Sequence, residues 1–552
     1  MGARQHLRSD PKLEDGMTPA KPSRSSLDIL LLAGFCGFLF LFGLSYFGLV
    51  GADEPRYAQV AREMLARHDW ISPTFEGKPW LEKPPLYYWQ AMVAFRLFGV
   101  SDWAARLPSA FDATLMVVAV YLFLRRLHPG FHLDGALIVA SSAGVIGFAR
   151  AASTDMPLTA TFAIAMLAWY AWFETRLKSY LAVSYFFLAL GVLAKGPVAI
   201  VLAGLIVAGF AFARRERNLI SQTLWFPGIL LLAAVVLPWY VLVQIRNPNF
   251  FRIFILEHNL ARFGTNLYHH PEPFWYYIPV TMIGLFPWTV FGTVACWKTG
   301  RCWLRGERDA DDTFGIFLLI WLLVPVLFFS LSRSKLPGYI VPSVPAGALL
   351  VAEYVRREIL ATHKAGMWQI SVHAVLASLI LIPAMMVHYI LLQQRIPWNR
   401  AAVPVAIASV CSLVIALTLR KSGLRMLRFM TLIPLVLAFG VVIRAGSPLL
   451  DISLSARPVI SEIAKLKPDL LNQVDPVNAA VFEAPRETEY GLAFYLNRHI
   501  SRYERHEVPS SEHVVIAPSG SQAVVQNSVP GRRVAYLGSF KAQRLDCFSV
   551  GK

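Results

Sequence analysis

Apolar runs of about 20 residues recur along this chain, each long enough to cross a bilayer core of about 30 Å as a helix. That recurrence leaves few folds open. Of the 552 residues 56% are apolar and 16% charged, whereas a soluble chain would carry about a quarter charged. Mean hydropathy is +0.49. The fold class expected is a polytopic α-helical membrane protein with about 13 transmembrane helices.

The spans are placed at 29–50, 104–124, 135–150, 157–174, 180–194, 197–213, 224–245, 278–297, 314–331, 338–355, 367–392, 401–419 and 428–446. The short links inside 135–174 and 180–213 make antiparallel hairpins. Roughly 25 polar residues precede the first span and no small-residue cleavage site follows it, so it is expected to stay as a membrane helix. Alternate loops collect the basic residues: Arg125/Arg126, Arg176/Lys178, Arg214/Arg215/Arg217, Lys298/Arg301/Arg305/Arg308, Arg356/Arg357/Lys364 and Arg420/Lys421/Arg425/Arg428. By the positive-inside rule that side is cytoplasmic, together with residues 1–28. The loops 51–103 and 246–277 and the tail 447–552 then lie outside.

The net charge of +17 sits in these short loops, which argues against a nucleic-acid partner. Five cysteines include no CxxC, so neither a disulfide framework nor a zinc–thiolate site is supported. The tail changes character: short apolar runs at Ala479–Phe482, Val514–Ala517 and Val534–Leu537 alternate with turns and with a helical stretch near Thr488–Asn497. It reads as a small α/β domain.

Chemistry concentrates in the loop 51–103. Asp53, Glu54, Arg56, Glu82 and Lys83 stand beside Tyr57, Tyr87, Tyr88 and Trp89. Charges and rings at a membrane surface suit a charged, lipid-linked substrate. Asp53 and Glu54 precede a short amphipathic helix and also read as its N-cap; Arg56, Arg62 and Arg67 would then face headgroups. Trp70, Trp80, Trp89, Trp275, Tyr276 and Tyr277 read as an interfacial belt. Arg150 and Asp155 bracket one short outer link, Lys195 sits in another, and Ser332 to Lys335 precede L-P-G-Y with Tyr339. Outer cations run against the positive-inside trend, and phosphate is the economical reason. Singly, each can also snorkel to the interface. Glu82–Lys83 is equally a surface ion pair. Glu257 and His258 could offer a carboxylate and an imidazole to a divalent metal, although a lone loop histidine is more often structural. No GxGxxG or P-loop signals a nucleotide cofactor.

D-E-P-R-Y-A at 53–58 and E-K-P-P-L-Y-Y-W at 82–89 resemble the first outer loop of the 4-amino-4-deoxy-L-arabinose lipid A transferases. A-R-L-P-S at 105–109, L-A-K-G-P-V-A at 193–199, E-H-N-L-A-R-F at 257–263, E-P-F-W-Y-Y at 272–277 and S-K-L-P-G-Y at 334–339 fit the same pattern. These are polyprenol-dependent GT-C glycosyltransferases, related to the protein O-mannosyltransferases.

The resemblance implies an inverting transferase that takes the aminosugar from undecaprenyl phosphate and delivers it to a phosphate of lipid A. It would work at the periplasmic face of the bacterial inner membrane, change outer-membrane charge and support polymyxin resistance. It further implies that Lys83, Arg262 and Tyr339 hold the polyprenyl phosphate and that Arg56 and Lys195 lie near donor or acceptor phosphates. Tyr57 and Tyr88 count with these as substrate-binding. Asp53, Asp155 and Glu82 count as catalytic, the two aspartates serving the sugar. Glu82 and His258 match positions for a divalent metal, zinc or magnesium. A monomer among membrane lipids is expected.

A phosphate acceptor is already anionic and needs no general base, whereas a hydroxyl acceptor would make Asp53 the candidate base. The nearest rival keeps the enzyme class and changes the acceptor to a protein hydroxyl or another envelope glycan. A transporter or lipid flippase would place polar residues at mid-membrane; here they crowd the outer face.

Overall fold

The computed structural model describes residues 25–261, 272–306, 313–361, 365–392, 394–466 and 478–551. Arg262, Arg308, Lys364 and the N-terminal basic residues lie outside them. Among the described residues nine helices are long and apolar enough to cross a membrane. Two bent helix pairs meet the same standard together, and the apolar helices Ser26–Leu41 and Val198–Arg214 are shorter. Each lies at one of the expected positions, but by length and composition nine of them, or eleven with the bent pairs, qualify as spans against the 13 expected. The chain is a multi-pass membrane protein.

Three spans depart from the simple reading. The first ends as a helix at Leu41: α1 (Ser25–Cys36) runs into a π turn, Gly37–Leu41, and Gly43 turns the chain with φ +72°. The freed carbonyls do not go unmet. Arg106 donates to Leu44 and Phe47 at 2.9 Å and to Gly48 at 2.8 Å, while Arg150 donates to Leu39 and Phe42.

The second departure is a 62° bend between α5 (His132–Ala140) and α6 (Ala143–Ala149). At the break Ser141 and Ser142 hydroxyls donate back to the carbonyls of Leu137 and Ile138, which bends helices. The third, Phe274–Gly284 with Thr289–Arg305, turns by 119° around Pro287. The two breaks satisfy each other, since Ala143 N–H donates to Phe286 O at 2.9 Å and Trp288 Nε1–H to Ser141 Oγ at 3.0 Å. Broken backbone at membrane depth is tolerated only where protein re-satisfies it.

At the centre stands α7 (Asp155–Thr175), 94% of whose apolar window is buried. Alanines at 160, 163, 165, 168 and 171 let neighbours approach closely, which in lipid is the main source of helix association. Its partners are α4 (Asp102–Leu127) and α8 (Lys178–Lys195). Because α7 begins where α8 ends, Asp155 and Lys195 arrive at the same end of the bundle.

On that end lie α2 (Asp53–Ala66), α3 (Leu86–Phe98) and the tail. The tail builds a five-stranded sheet of order β4-β3-β5-β7-β6, after the β1–β2 ribbon (Thr74–Phe75, Lys78–Pro79) of the first loop. Here β3 is Asn478–Val481, β4 Ser501–Arg502, β5 His513–Pro518, β6 Arg533–Phe540 and β7 Leu545–Gly551. Strand β3 pairs in parallel with both β4 and β5, and β7 pairs antiparallel with β5 and β6. The expected α/β character is found, with helix Arg486–Leu496 where the helical stretch was read.

The tail and the first loop share one core. Tyr57, Val60, Met64, Tyr87 and Met92 pack in the same buried cluster as Val459, Leu492, Phe494 and Ile516. Each large side chain so buried contributes about 1.5–3 kcal/mol. This corrects the expected membrane-surface helix: Arg62 donates to Phe494 O at 2.9 Å, so it faces the tail rather than headgroups. Of the expected belt, Trp70 and Trp275 are exposed, while Tyr277 is buried and pins Leu336 through its hydroxyl.

Candidate active site

Between the loop helices, the bundle end and the tail lies a cavity of 630 Å³. Its charged lining is Asp53, Glu82, Asp155 and Glu487 against Arg56, Lys83, Lys195 and Arg486, with Tyr57 and Tyr339 among the rings. Both signs are present in equal number. A wall of that kind fits a substrate carrying both an anion and a cation.

Asp155 and Lys195 form an ion pair, and the Lys195 ammonium lies 5.1 Å from the Tyr339 ring centre. Asp155 stands in the first turn of α7, where the helix dipole favours a carboxylate. Gly338 is required by closeness: a Cβ there would sit 2.7 Å from Asp155 Oδ1.

Asp53 also occupies a first turn, that of α2, whose N-cap is Ala52. Asp53 therefore does not cap the helix; exposed, it pairs with Arg56. Glu54 turns the other way. Its carboxylate accepts from Val50 N, Ala152 N and the fully buried Arg106, which locks the loop to the bundle. The Arg56 guanidinium stands over Tyr57, Trp80 and Tyr490 at 5.0, 5.1 and 5.7 Å. Burial works against its charge, but Tyr57, Asp53 and Glu82 outweigh burial and hold its pKa above the ordinary arginine value. Burial likewise raises Tyr57 well above the usual phenol value.

His258 Nε2 lies 3.7 Å from Glu82 Oε1, so the two residues assigned to a metal do meet. Among the described residues no cluster of three or more His, Cys, Asp or Glu accompanies them. The pair alone is one ligand short of a protein-held catalytic zinc. A cation here would fit only with its shell completed by substrate oxygens and water, as magnesium at phosphates is.

Other expectations land outside the cavity wall. Tyr88 is fully buried behind it, near Tyr57 and Tyr87. Arg150 serves the carbonyls of Leu39 and Phe42, and buried Lys335 donates to Ser332 O at 2.5 Å; neither lines the cavity. Arg262 is outside the described residues. Arg486 and Glu487 went unread in the sequence. The one signal for them was Pro485 followed by a charged helix start in the tail.

Residues 82–241 match the family model described as dolichyl-phosphate-mannose-protein mannosyltransferase. An undecaprenyl phosphate-alpha-4-amino-4-deoxy-L-arabinose arabinosyl transferase of Pseudomonas fluorescens is 34% identical over 337 residues, 59% of each chain. Its Pseudomonas aeruginosa counterpart (strain LESB58) is 33% identical over 338 residues, 60% of this chain and 59% of that one. The chain thus spans about three-fifths of the length of these curated relatives. The crystal structure of ArnT from Cupriavidus metallidurans bound to undecaprenyl phosphate superposes with a TM-score of 0.75, at 20% identity, covering 94% of this chain and 97% of that one. The apo structure gives 0.73. The chain has the fold of ArnT and is a sequence relative of the undecaprenyl phosphate-aminoarabinose arabinosyl transferases.

Proposed function

We propose that the chain is an inverting glycosyltransferase of the bacterial inner membrane. It would move 4-amino-4-deoxy-L-arabinose from undecaprenyl phosphate to a lipid A phosphate at the periplasmic face, which supports polymyxin resistance. The observation that carries this reading is the cavity in which the Asp155–Lys195 pair, Asp53–Arg56 and Lys83 meet at one end of the bundle. Aminosugar and phosphates together require both charges.

In this reading an acceptor phosphate oxygen attacks the anomeric carbon. The bond from that carbon to the donor phosphate oxygen breaks, and undecaprenyl phosphate leaves with the electron pair. No proton needs to move. Lys83, Lys195 and Tyr339, with Arg262, hold the leaving phosphate. Asp53 and Asp155 steady the sugar ammonium and the positive charge developing on the ring. A divalent cation held by Glu82 and His258 would supply further neutralisation of phosphate charge.

Mass spectrometry of lipid A from cells with and without the protein tests the proposal. Added aminoarabinose that depends on the protein supports it. Unchanged lipid A beside an altered glycoprotein pattern moves the acceptor to a protein hydroxyl and gives Asp53 the part of base.

A further inference from the structure

The opposite end of the bundle holds a second hollow, of 1150 Å³, lined by Arg176, Arg215 and Arg217 with Gln222 and Trp303. Arg176 lies in the turn between α7 and α8. Arg215 and Arg217 lie between α9 (Val198–Arg214) and the short α10 (Asn218–Thr223). Glu216 also faces the hollow, but Arg214 Nη2 lies 3.1 Å from its carboxylate. The wall is thus left with three uncompensated, exposed cations. Arg176 and Arg215 both hold φ +59°, a conformation that glycine adopts without strain. The positive-inside rule puts cations on this side; what is particular here is that three of them line one hollow.

Beside it runs an apolar groove of 320 Å³, between α7, α8, α9 and α11 (Phe226–Arg246). Trp169, Tyr185, Ile200, Gly204 and Ile229 line it, and Ile220 of α10 borders both hollows. A Cβ on Gly204 would meet nothing within 4 Å; the groove is open there. A cationic mouth joined to an apolar slot that runs into the membrane has the outline of one molecule, a headgroup with an acyl chain.

We propose that these hollows form one site for an anionic phospholipid of the leaflet opposite the active site. Its phosphate sits among Arg176, Arg215 and Arg217, and one acyl chain lies in the groove past Gly204. The charge selects the lipid: a zwitterionic headgroup brings its own cation to a wall with no free anion, whereas a net negative one is attracted by each arginine.

Native mass spectrometry of the full chain in detergent, titrated with phosphatidylglycerol and with phosphatidylcholine of the same acyl chains, tests this. The wild type should retain phosphatidylglycerol roughly tenfold better. R176Q/R215Q/R217Q should lose that preference. G204L should weaken phosphatidylglycerol retention with the arginines intact and no fall in thermal stability. Equal retention of both lipids by the wild type overturns the proposal, as does unchanged retention in both variants. A dimer that G204L dissociates would show a second copy to be the groove's occupant, and also overturns it.

Discussion

Arg106 and Glu54 meet 2.6 Å apart with side chains 0% and 9% exposed. The same guanidinium binds the carbonyls of Leu44, Phe47 and Gly48, and the same carboxylate binds Val50 N and Ala152 N. One ion pair therefore ties the end of the first span, the start of α2 and the link into α7. Removing one partner leaves a buried charge, at a cost of about 3–5 kcal/mol. Arg106→Met should lower the unfolding midpoint in detergent markedly. Arg106→Lys should not restore it, because an ammonium cannot reproduce the planar fork. A lysine variant as stable as wild type would refute the keystone role.

The Asp155–Lys195 pair is expected to be functional rather than structural. Asp155→Asn and Asp53→Asn should each lower transfer by about a hundredfold or more, the loss typical of one electrostatic group at a reacting centre. Both should fold normally. Gly338→Ala offers an independent check, because its Cβ must displace the Asp155 carboxylate. We expect about a tenfold loss of turnover for it, since small misplacements near the chemistry are costly. Near-normal turnover of Asp53→Asn would sink the assignment of that residue.

His513 gives the tail a pH dependence. It is buried in β5; its Nδ1–H donates to Ser511 O at 2.8 Å and its Nε2 accepts from the Tyr503 hydroxyl at 2.6 Å. Burial lowers its pKa below the ordinary 6.5. Between the lowered folded value and the unfolded value the unfolded chain binds more protons, so stability rises with pH in that window. The contribution is full above about pH 6.5 and is lost as pH falls through the folded pKa. Protection factors of the β5 amides, which remove the intrinsic slowing of exchange in acid, should fall as pH is lowered from about 7.5 to about 5.5 in wild type, and fall less in His513→Gln. An equal pH response in the two would remove His513 as the cause.

Much of this was legible from residue pattern, and the exceptions share a cause. Span length, the tail strands at Ala479 and Val514, and the convergence of Asp53, Lys83, Asp155, Lys195 and Tyr339 all follow from local runs plus topology. What escaped depends on a partner far away in the chain. Arg150 and Lys335 looked like outer phosphate ligands, yet Arg150 spends its charge on carbonyls that a broken helix leaves open and Lys335 on Ser332 O in the turn after the helix Thr313–Ser330. Arg62 looked membrane-facing until the tail covered α2. The bends at Ser141–Ser142 and Pro287 arise from side-chain hydrogen bonds and a proline inside otherwise continuous apolar runs, where hydropathy alone shows an unbroken span.

The tail's place in the cavity leads to a sharper expectation. Arg486 and Glu487 open the helix whose Tyr490 lies against the Arg56 guanidinium. An exposed arginine at this rim should attract an anionic acceptor without touching the sugar bond. Arg486→Ala should therefore raise the acceptor KM several-fold with little change in kcat, since lost uniform binding shows in KM. Added salt should narrow the gap between wild type and variant, because exposed charges are screened. An unchanged KM would place the acceptor elsewhere on the rim.

The meeting of Glu82 and His258 predicts metal binding that depends on the donor lipid. Two protein ligands 3.7 Å apart hold a divalent cation weakly, and phosphate oxygens would complete the shell. Zinc titrated into metal-free protein should bind measurably tighter with undecaprenyl phosphate present than without it, by isothermal calorimetry. His258→Ala should abolish the difference while leaving the lipid itself bound. If zinc binds equally with and without the lipid, or the His258→Ala variant keeps the difference, the pair is a structural contact and the leaving phosphate is neutralised by Lys83, Lys195 and Arg262 without a metal.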